Sequence, residues 1–236
     1  KKLIAVTLSA ATFALSLTAC GGKSSDSSAG SSSAAESTTV KLGVVGSIYE
    51  DLWKPAQESL KAEGIDLEIV QFSDYATPNN ALNSGDIDLN AFQHQIYLDN
   101  EVEQQGYKIQ SIGYTFIIPL NIYSHKVKAI SDIKDGDVVA IPDDVTNGGR
   151  AIKVLAAAGL ITLKEDAGFN PTLEDIKTYN TKITIKELKA NTIPSVLDDV
   201  TAAVVNGNYA LDFGLKTEEA IYKDSVLDEE KYWNLI

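Results

Sequence analysis

The sequence predicts an α/β protein with two lobes, each a mostly parallel sheet flanked by helices. Short β-rich runs alternate with segments of helical spacing through most of the chain. The alternation restarts once, which gives two units of similar length. Hydrophobic residues make up 44% of the chain and charged residues 22%, as is ordinary for a globular protein. These observations together predict the fold class.

The first twenty residues predict an exported, lipid-anchored protein. Lys1 and Lys2 precede the apolar stretch LIAVTLSAATFALSLTA, which is typical of a signal peptide. The segment LTAC that ends at Cys20 resembles the bacterial lipobox, and Cys20 is the only cysteine. We therefore expect a signal peptide at residues 1–19 and a Cys20 that carries diacylglyceryl and palmitate. Such an anchor would hold the protein on the extracytoplasmic face of a bacterial cell membrane.

After Cys20 the chain is expected to form a flexible tether at residues 20–39. The segment GGKSSDSSAGSSSAAESTT is rich in Ser, Gly and Ala, so it cannot offset the entropy of ordering. The folded body is expected to divide into lobe 1 at residues 40–122 and lobe 2 at residues 123–211. Residues 212–236 are expected to return to lobe 1.

Lobe 1 is expected to begin with the strand VKLGVVGS and the helix YEDLWKPAQESLKAEG, which ends at Gly64. The strand IDLEIVQFS, a short helix closed by Gly85 and the strand DIDLNAF follow. The helix HQIYLDNEVEQQG ends at Gly106, and YKIQSIGYTFIIPLNIYS contains one or two further strands.

Lobe 2 repeats the alternation. It is expected to contain a buried strand in VVAIPDD and the helix TNGGRAIKVLAAAGLI, capped by Thr146 or Asn147. In such sheets a ligand lies outside the carboxyl ends of the strands, and with two lobes it lies between them. We therefore expect a binding site in an interlobe cleft.

The net charge of −13 excludes several partners. Phosphate binding requires a basic face, so we expect no nucleic acid as a partner. The chain has neither a P-loop nor a dinucleotide-binding glycine pattern. We expect a monomer that needs no cofactor.

Arg150 is the only arginine among 20 basic residues. We expect it in the first turn of its helix, where its planar fork can bind a carboxylate or phosphate through two hydrogen bonds. The helix N-terminus would add free N–H groups and partial positive charge. Gly148 and Gly149 are expected to let the backbone approach a ligand. A structural salt bridge with one of the 33 acidic residues is the alternative.

A second group of residues predicts a pocket with aromatic walls. Phe92 and His94 end a strand, Tyr97 lies one turn into the following helix, and Tyr75 precedes them in a turn. For His94, a helix cap or a core position is the alternative. We expect no metal, because His125 is the only other histidine. An aromatic pocket with an anion clamp suits an amino acid or a small carboxylate.

Three segments resemble the methionine-binding lipoproteins of ABC importers, the NlpA type. They are DYATPNNALNSGDIDLNAFQHQIYL (74–98), VAIPDDVTNGGRAIKVLAAAGLITLK (139–164) and SVLDDVTAAVVNGNYA (195–210). The resemblance implies a periplasmic-binding-protein-like fold of type II. It also implies delivery of methionine to a membrane permease driven by a separate ATPase. Because the family continues beyond KYWNLI, it further implies that the return to lobe 1 is truncated.

The resemblance also implies roles for seven residues. The residues that enclose the methionine side chain are Tyr75, Phe92, His94 and Tyr97. Arg150 matches an arginine that binds the carboxylate. Asn147 and Asn206 match asparagines that hold the backbone atoms of the amino acid, and Asn206 is assigned by the resemblance alone.

The leading hypothesis is therefore a lipid-anchored solute-binding protein that captures L-methionine and is not an enzyme. The ligand could also be D-methionine, a methionine-containing dipeptide, another amino acid or another small carboxylate, because one methylene changes binding by only about 1–3 kcal/mol. A surface lipoprotein with an adhesive role is an alternative of a different class. An enzyme is disfavoured because the folded body after the tether lacks a cysteine, a G-x-S-x-G elbow and a set of metal ligands.

Overall fold

A computed structural model describes residues 37–225, 227 and 229–236. The predicted signal peptide, Cys20 and nearly all of the predicted tether lie outside these residues. Strand β1 begins at Thr38, two residues earlier than the sequence predicts. No helix within the described part is both long and apolar enough to cross a bilayer.

The first sheet contains three parallel strands in the order β2-β1-β3. Strand β1 spans Thr38–Val45, β2 spans Ile65–Phe72, and β3 spans only Leu89–Asn90. Helix α1 (Ile48–Ala62) connects β1 to β2, and helix α2 (Thr77–Ser84) connects β2 to β3. These helical crossovers let consecutive strands run parallel.

Strand β3 is shorter than the predicted strand DIDLNAF. The Asp88 carboxylate accepts the backbone N–H of Lys41 at 2.8 Å, in place of a backbone carbonyl of the ladder. Backbone hydrogen bonds to β1 still form on both sides, from Asp88 to Lys41 and from Ala91 to Gly43. The segment therefore follows β1 with only two regular ladder residues.

Helix α3 spans Gln95–Gln105 and begins after His94. The helices end where glycines predicted them to end. Gly64, Gly85 and Gly106 have φ values of 81°, 83° and 72°, in the left-handed region that glycine adopts without a steric penalty.

The second half of the described chain contains the remaining regular elements. In chain order they are β4 (Leu120–Tyr123), β5 (Val138–Pro142), α4 (Val145–Ala157), β6 (Ile161–Leu163), β7 (Ile176–Tyr179), β8 (Thr184–Leu188), β9 (Ala202–Asn206) and α5 (Gly207–Asp212). Short 3-10 helices lie at Ile130–Asp132, Leu173–Asp175, Ala190–Val196, Thr217–Glu219 and Glu230–Tyr232.

The second sheet has the order β4-β9-β5-β8. Strand β5 runs parallel to β8 and β9, and β4 pairs with β9 in the antiparallel direction. Strands β6 and β7 form a separate antiparallel pair. The prediction of mostly parallel sheets with flanking helices is thus confirmed.

Strand β9 is buried on both of its faces. Ala203 and Val205 belong to an apolar cluster shared with the first sheet, whereas Ala202 and Val204 belong to a cluster under α4. Side chains alternate between the faces of a strand, so a strand buried on both faces reads as a continuous apolar run.

The segment after α5 contacts both sheets. Tyr222 forms a bridge with Ile122 in β4. Further along, Asn234 forms an antiparallel bridge with His94, and the N–H of Leu235 donates to the carbonyl of Gln93 at 3.0 Å. The last residues therefore lie against the turn between β3 and α3.

Gly148 and Gly149 face protein backbone, so the prediction that they approach a ligand is wrong. A Cβ atom at Gly148 would lie 2.9 Å from the carbonyl oxygen of Pro142. A Cβ atom at Gly149 would lie 2.9 Å from the Cα atom of Asn170. These glycines let α4 pack closely against the end of β5 and against the loop that contains Asn170.

We expect Gly149→Ala to lower the free energy of unfolding by about 1–3 kcal/mol, because overlap with backbone outweighs the helix-propensity gain. Gly113→Ala is the matched control, since a Cβ atom there has its nearest neighbour at 4.0 Å. Urea unfolding monitored by circular dichroism measures both variants. Equal urea midpoints for Gly149→Ala and Gly113→Ala would contradict the close packing of α4 against the loop that contains Asn170.

Candidate functional site

A small cavity lies between residues that follow strands of the two sheets. Its walls include all seven side chains that the sequence and the resemblance singled out. They are Tyr75, Phe92, His94, Tyr97, Asn147, Arg150 and Asn206.

Most of these residues follow the carboxyl ends of strands. Phe92 and His94 follow β3, and Tyr75 follows β2. In the second sheet Arg150 lies on the helix after β5, and Asn206 ends β9. This is where open α/β sheets place ligands.

Three aromatic rings form one wall of the cavity. The ring centroids of Tyr75 and Phe92 are 5.9 Å apart, those of Phe92 and Tyr97 6.0 Å, and those of Tyr75 and Tyr97 6.1 Å. The Tyr97 hydroxyl donates to the carbonyl of Tyr75 at 3.0 Å, and the Tyr75 hydroxyl donates to Asn208 Oδ1 at 2.6 Å. With both hydroxyls bonded within the protein, the rings provide an apolar surface.

Buried amides hold the turn that carries Phe92 and His94. The Gln93 amide donates to Asn79 Oδ1 at 2.7 Å and accepts from Asn79 Nδ2 at 2.8 Å. Asn90 Nδ2 also donates to Asn79 Oδ1, at 3.0 Å. This neutral network ties α2 to the end of β3 and fixes the backbone on which the pocket residues lie.

His94 is both a helix cap and a wall of the cavity. Its Nδ1 accepts the N–H of Tyr97 at 3.1 Å, which assigns the proton of the neutral ring to Nε2. Burial and then the positive charge of Arg150 lower the pKa of His94 to about 3. Nε2 is buried; the Asn147 side chain lies close enough to oppose this lowering of the pKa, but it forms no hydrogen bond of acceptable geometry with Nε2. His94 is therefore a neutral donor at physiological pH.

Arg150 lies in the second turn of α4, not in the first turn as the sequence predicts, because α4 already begins at Val145. Its Nη2 donates to Asp224 Oδ2 at 2.5 Å and to the carbonyl of Ile118 at 3.2 Å. Its Nε is buried and has no hydrogen-bond partner. The structural salt bridge thus exists beside a donor that remains available.

Asp144 is the N-cap of α4, so the prediction of Thr146 or Asn147 as the cap is wrong. Its carboxylate accepts the N–H of Asn147 at 2.9 Å and also the Asn147 side-chain amide. Asn147 Oδ1 in turn accepts from Asn206 Nδ2 at 2.9 Å. Asn206 Oδ1 is left buried without a partner.

Two donors and one acceptor thus line the same cavity without partners. They are His94 Nε2, Arg150 Nε and Asn206 Oδ1. A buried polar group left unpaired costs about 1–3 kcal/mol, so such groups indicate a missing partner. Two donors suit a carboxylate and one acceptor suits an ammonium group. In the part of the chain that the structure describes, no group of three or more His, Cys, Asp or Glu residues could hold a metal ion.

Sequence reasoning missed several cavity residues. Tyr49, Asn208 and Asn234 also line the cavity. Asn234 Nδ2 donates to the Tyr49 hydroxyl at 2.9 Å, across 185 positions of sequence. Only Asn208 had a local signal, since it follows Asn206 by two residues in VNGNY.

A family model described as NlpA lipoprotein matches residues 40–236. The chain belongs to the NlpA lipoprotein family. Membership places it among lipoproteins that bind solutes, not among enzymes.

Individual members of the NlpA family are similar along most of the chain. The D-methionine-binding lipoprotein MetQ of Salmonella typhimurium is 42% identical over 203 residues, which covers 84% of this chain and 73% of that protein. Outer membrane lipoprotein 3 of Mannheimia haemolytica is 40% identical over 239 aligned positions, covering 100% of this chain and 84% of that protein.

A solved structure is similar in both sequence and fold. It is that of a nutrient binding protein from Burkholderia cenocepacia bound to methionine. It is 43% identical with a TM-score of 0.78, and the match covers 83% of each chain. The likeness confirms the periplasmic-binding-protein-like fold expected from the sequence.

His94→Asn tests the buried neutral histidine through the pH dependence of stability. The unfolded chain binds a proton at His94 below its ordinary pKa of about 6.5, whereas the folded chain does not until about pH 3. Stability is therefore lost as pH falls through this window, by about 2 kcal/mol between pH 7 and pH 5. Asparagine keeps the cap acceptor and removes this contribution.

We expect the loss between pH 7 and pH 5 to be smaller in His94→Asn by that amount, measured by urea unfolding. Gly113→Ala, which leaves both histidines in place, serves as the control and should keep the wild-type dependence of stability on pH. If the free energy of unfolding falls equally with pH in wild type and in His94→Asn, the fold does not hold His94 in its neutral form.

Proposed function

We propose that the protein is a lipid-anchored, extracytoplasmic solute-binding protein that captures L-methionine and delivers it to an ABC importer. The observation that carries the proposal is the set of three unpartnered polar atoms next to an aromatic wall. Together they match the two ends of an amino acid with an apolar side chain.

The polar end of the ligand fits the three atoms. A carboxylate accepts from Arg150 Nε and His94 Nε2, two donors whose side chains both contact the Tyr232 ring. An ammonium group donates to Asn206 Oδ1. Asn147 holds Asn206 in place through its own hydrogen bond. These contacts bind any α-amino acid and do not select the side chain.

The aromatic wall supplies the preference for a thioether. A sulfur atom near an aromatic ring contributes about 0.3–1.5 kcal/mol beyond apolar burial. Tyr75, Phe92 and Tyr97 present three rings to the cavity.

The relatives support the same ligand class. The Salmonella relative is named for D-methionine, and the Burkholderia structure is described as bound to methionine. D-methionine is therefore the second candidate ligand. Cys20 would provide the membrane anchor, and a permease with its ATPase would receive the ligand from a monomeric protein.

Calorimetric titration of ligand-stripped protein with L-methionine, D-methionine, leucine and a methionine dipeptide tests the function. We expect L-methionine to bind most tightly. Arg150→Lys should weaken binding by about 2–5 kcal/mol, because lysine retains the charge opposite Asp224 but lacks the planar fork.

The exposed Lys164→Ala is the control for Arg150→Lys and should bind as wild type does. If the wild-type protein binds none of these compounds, the transport proposal is wrong. An Arg150→Lys variant with unchanged affinity would remove Arg150 from the carboxylate site.

Norleucine, which replaces the sulfur of methionine by a methylene, tests the aromatic wall. We expect wild type to prefer methionine over norleucine by about 0.3–1.5 kcal/mol, and Phe92→Leu to reduce this preference. Phe213→Leu, which changes a half-exposed ring away from the cavity, should preserve it. An equal preference in Phe92→Leu and wild type would show that this ring does not sense the sulfur.

A further inference from the structure

Arg150 and Asp224 are the only charged pair buried among the described residues. Their side chains are 4% and 0% exposed. The other buried polar side chains of this part of the chain are neutral amides, the Thr146 hydroxyl and His94, whose pKa of about 3 keeps it uncharged. The fully buried charges beside the cavity therefore sum to zero, and the partly buried Asp144 carboxylate that holds Asn147 adds no positive charge that would attract an anion.

Asp224 is held by the framework of the protein. Its Oδ2 accepts the N–H of Leu120 at 3.0 Å in addition to Arg150 Nη2. Its own N–H donates to Asn121 Oδ1 at 2.9 Å. Leu120 and Asn121 belong to β4, so Asp224 stays in place regardless of what Arg150 binds.

Tyr232 fixes the plane of the Arg150 guanidinium. The guanidinium carbon lies 4.5 Å from the centroid of the buried Tyr232 ring, a cation–π contact. With Nη2 on Asp224 and one face on Tyr232, the Nε edge is left for the cavity. Asp224 and Tyr232 both lie in the segment after α5, outside the motifs that predicted the site.

We infer that Asp224 is a specificity-determining residue, which makes the site select a net-neutral zwitterion over an anion with the same side chain. The inference rests on the proposed amino-acid function. A lone buried arginine would attract any carboxylate strongly, because charges interact strongly where water is excluded. Asp224 cancels that attraction, so a carboxylate is bound well only when the ligand brings its own ammonium group.

More distant charges do not produce the same discrimination. Lys153 and Lys231 place their ammonium groups against the Phe169 ring, 3.5 and 5.0 Å from its centroid. Lys231 is exposed and Lys153 is partly exposed, so solvent screens both. Glu229 lies close enough to Lys153 to favour its charged form.

The test compares L-methionine with 4-(methylthio)butanoate, which is methionine without its amino group. We expect wild type to bind the zwitterion about 100-fold more tightly than this anion, because the anion leaves Asn206 unpaired and adds net charge. Asp224→Asn leaves the charge of Arg150 uncompensated. The ratio of the affinity for L-methionine to the affinity for 4-(methylthio)butanoate should therefore fall by about tenfold or more.

Asp199→Asn makes the same chemical change at an exposed position and should retain the wild-type ratio. If Asp224 only supports the structure, Asp224→Asn will weaken both ligands equally, and an unchanged ratio overturns the inference. If Asp224→Asn does not fold, Asp224→Ser replaces it, because serine also removes the charge and keeps an acceptor for Arg150; an unchanged ratio of the two affinities in that variant overturns the inference. A wild type that binds neither ligand overturns the proposed function itself, a distinguishable result.

Discussion

The ion pair between Arg150 and Asp224 is the constraint around which the polar end of the cavity is arranged. It joins α4 to the segment after α5, and Asp224 in turn holds the backbone of β4. A buried pair adds little net stability compared with apolar packing, whereas loss of one partner costs about 3–5 kcal/mol. The pair therefore fixes geometry more than it stabilises the fold, and the free Nε edge of Arg150 follows from it.

Around this pair, neutral groups determine the rest of the site. Amides of Asn79, Asn90 and Gln93 hold the turn after β3, and His94 caps α3 while remaining uncharged. Neutral groups are cheaper to bury than ions and can be satisfied by one another. Binding can therefore be specific although Arg150 is the only charged side chain among the described residues that line the cavity, and its charge is paired with Asp224.

The sequence predicted local features better than distant contacts. The alternation of strands and helices, the helix ends at glycines and the seven cavity residues required only periodicity, turn chemistry and a family resemblance. The cap of α4 and the environment of Gly149 were predicted wrongly, because each depends on which backbone packs nearby. Asp224 and Asn234 could not be found, since their partners lie far away in sequence and a lone carboxylate or amide has no pattern.

The three unpartnered atoms of the cavity also bear on how the protein opens. Together they disfavour a closed, unliganded cleft by about 3–9 kcal/mol. A difference of about 5.5 kcal/mol is enough to move a two-state population from 1:99 to 99:1. The empty protein should therefore populate an open arrangement in which water reaches these atoms, and an amino acid would shift that equilibrium by replacing the water. The polar groups that recognise the ligand are thus the same groups that favour an open cleft in the protein without ligand.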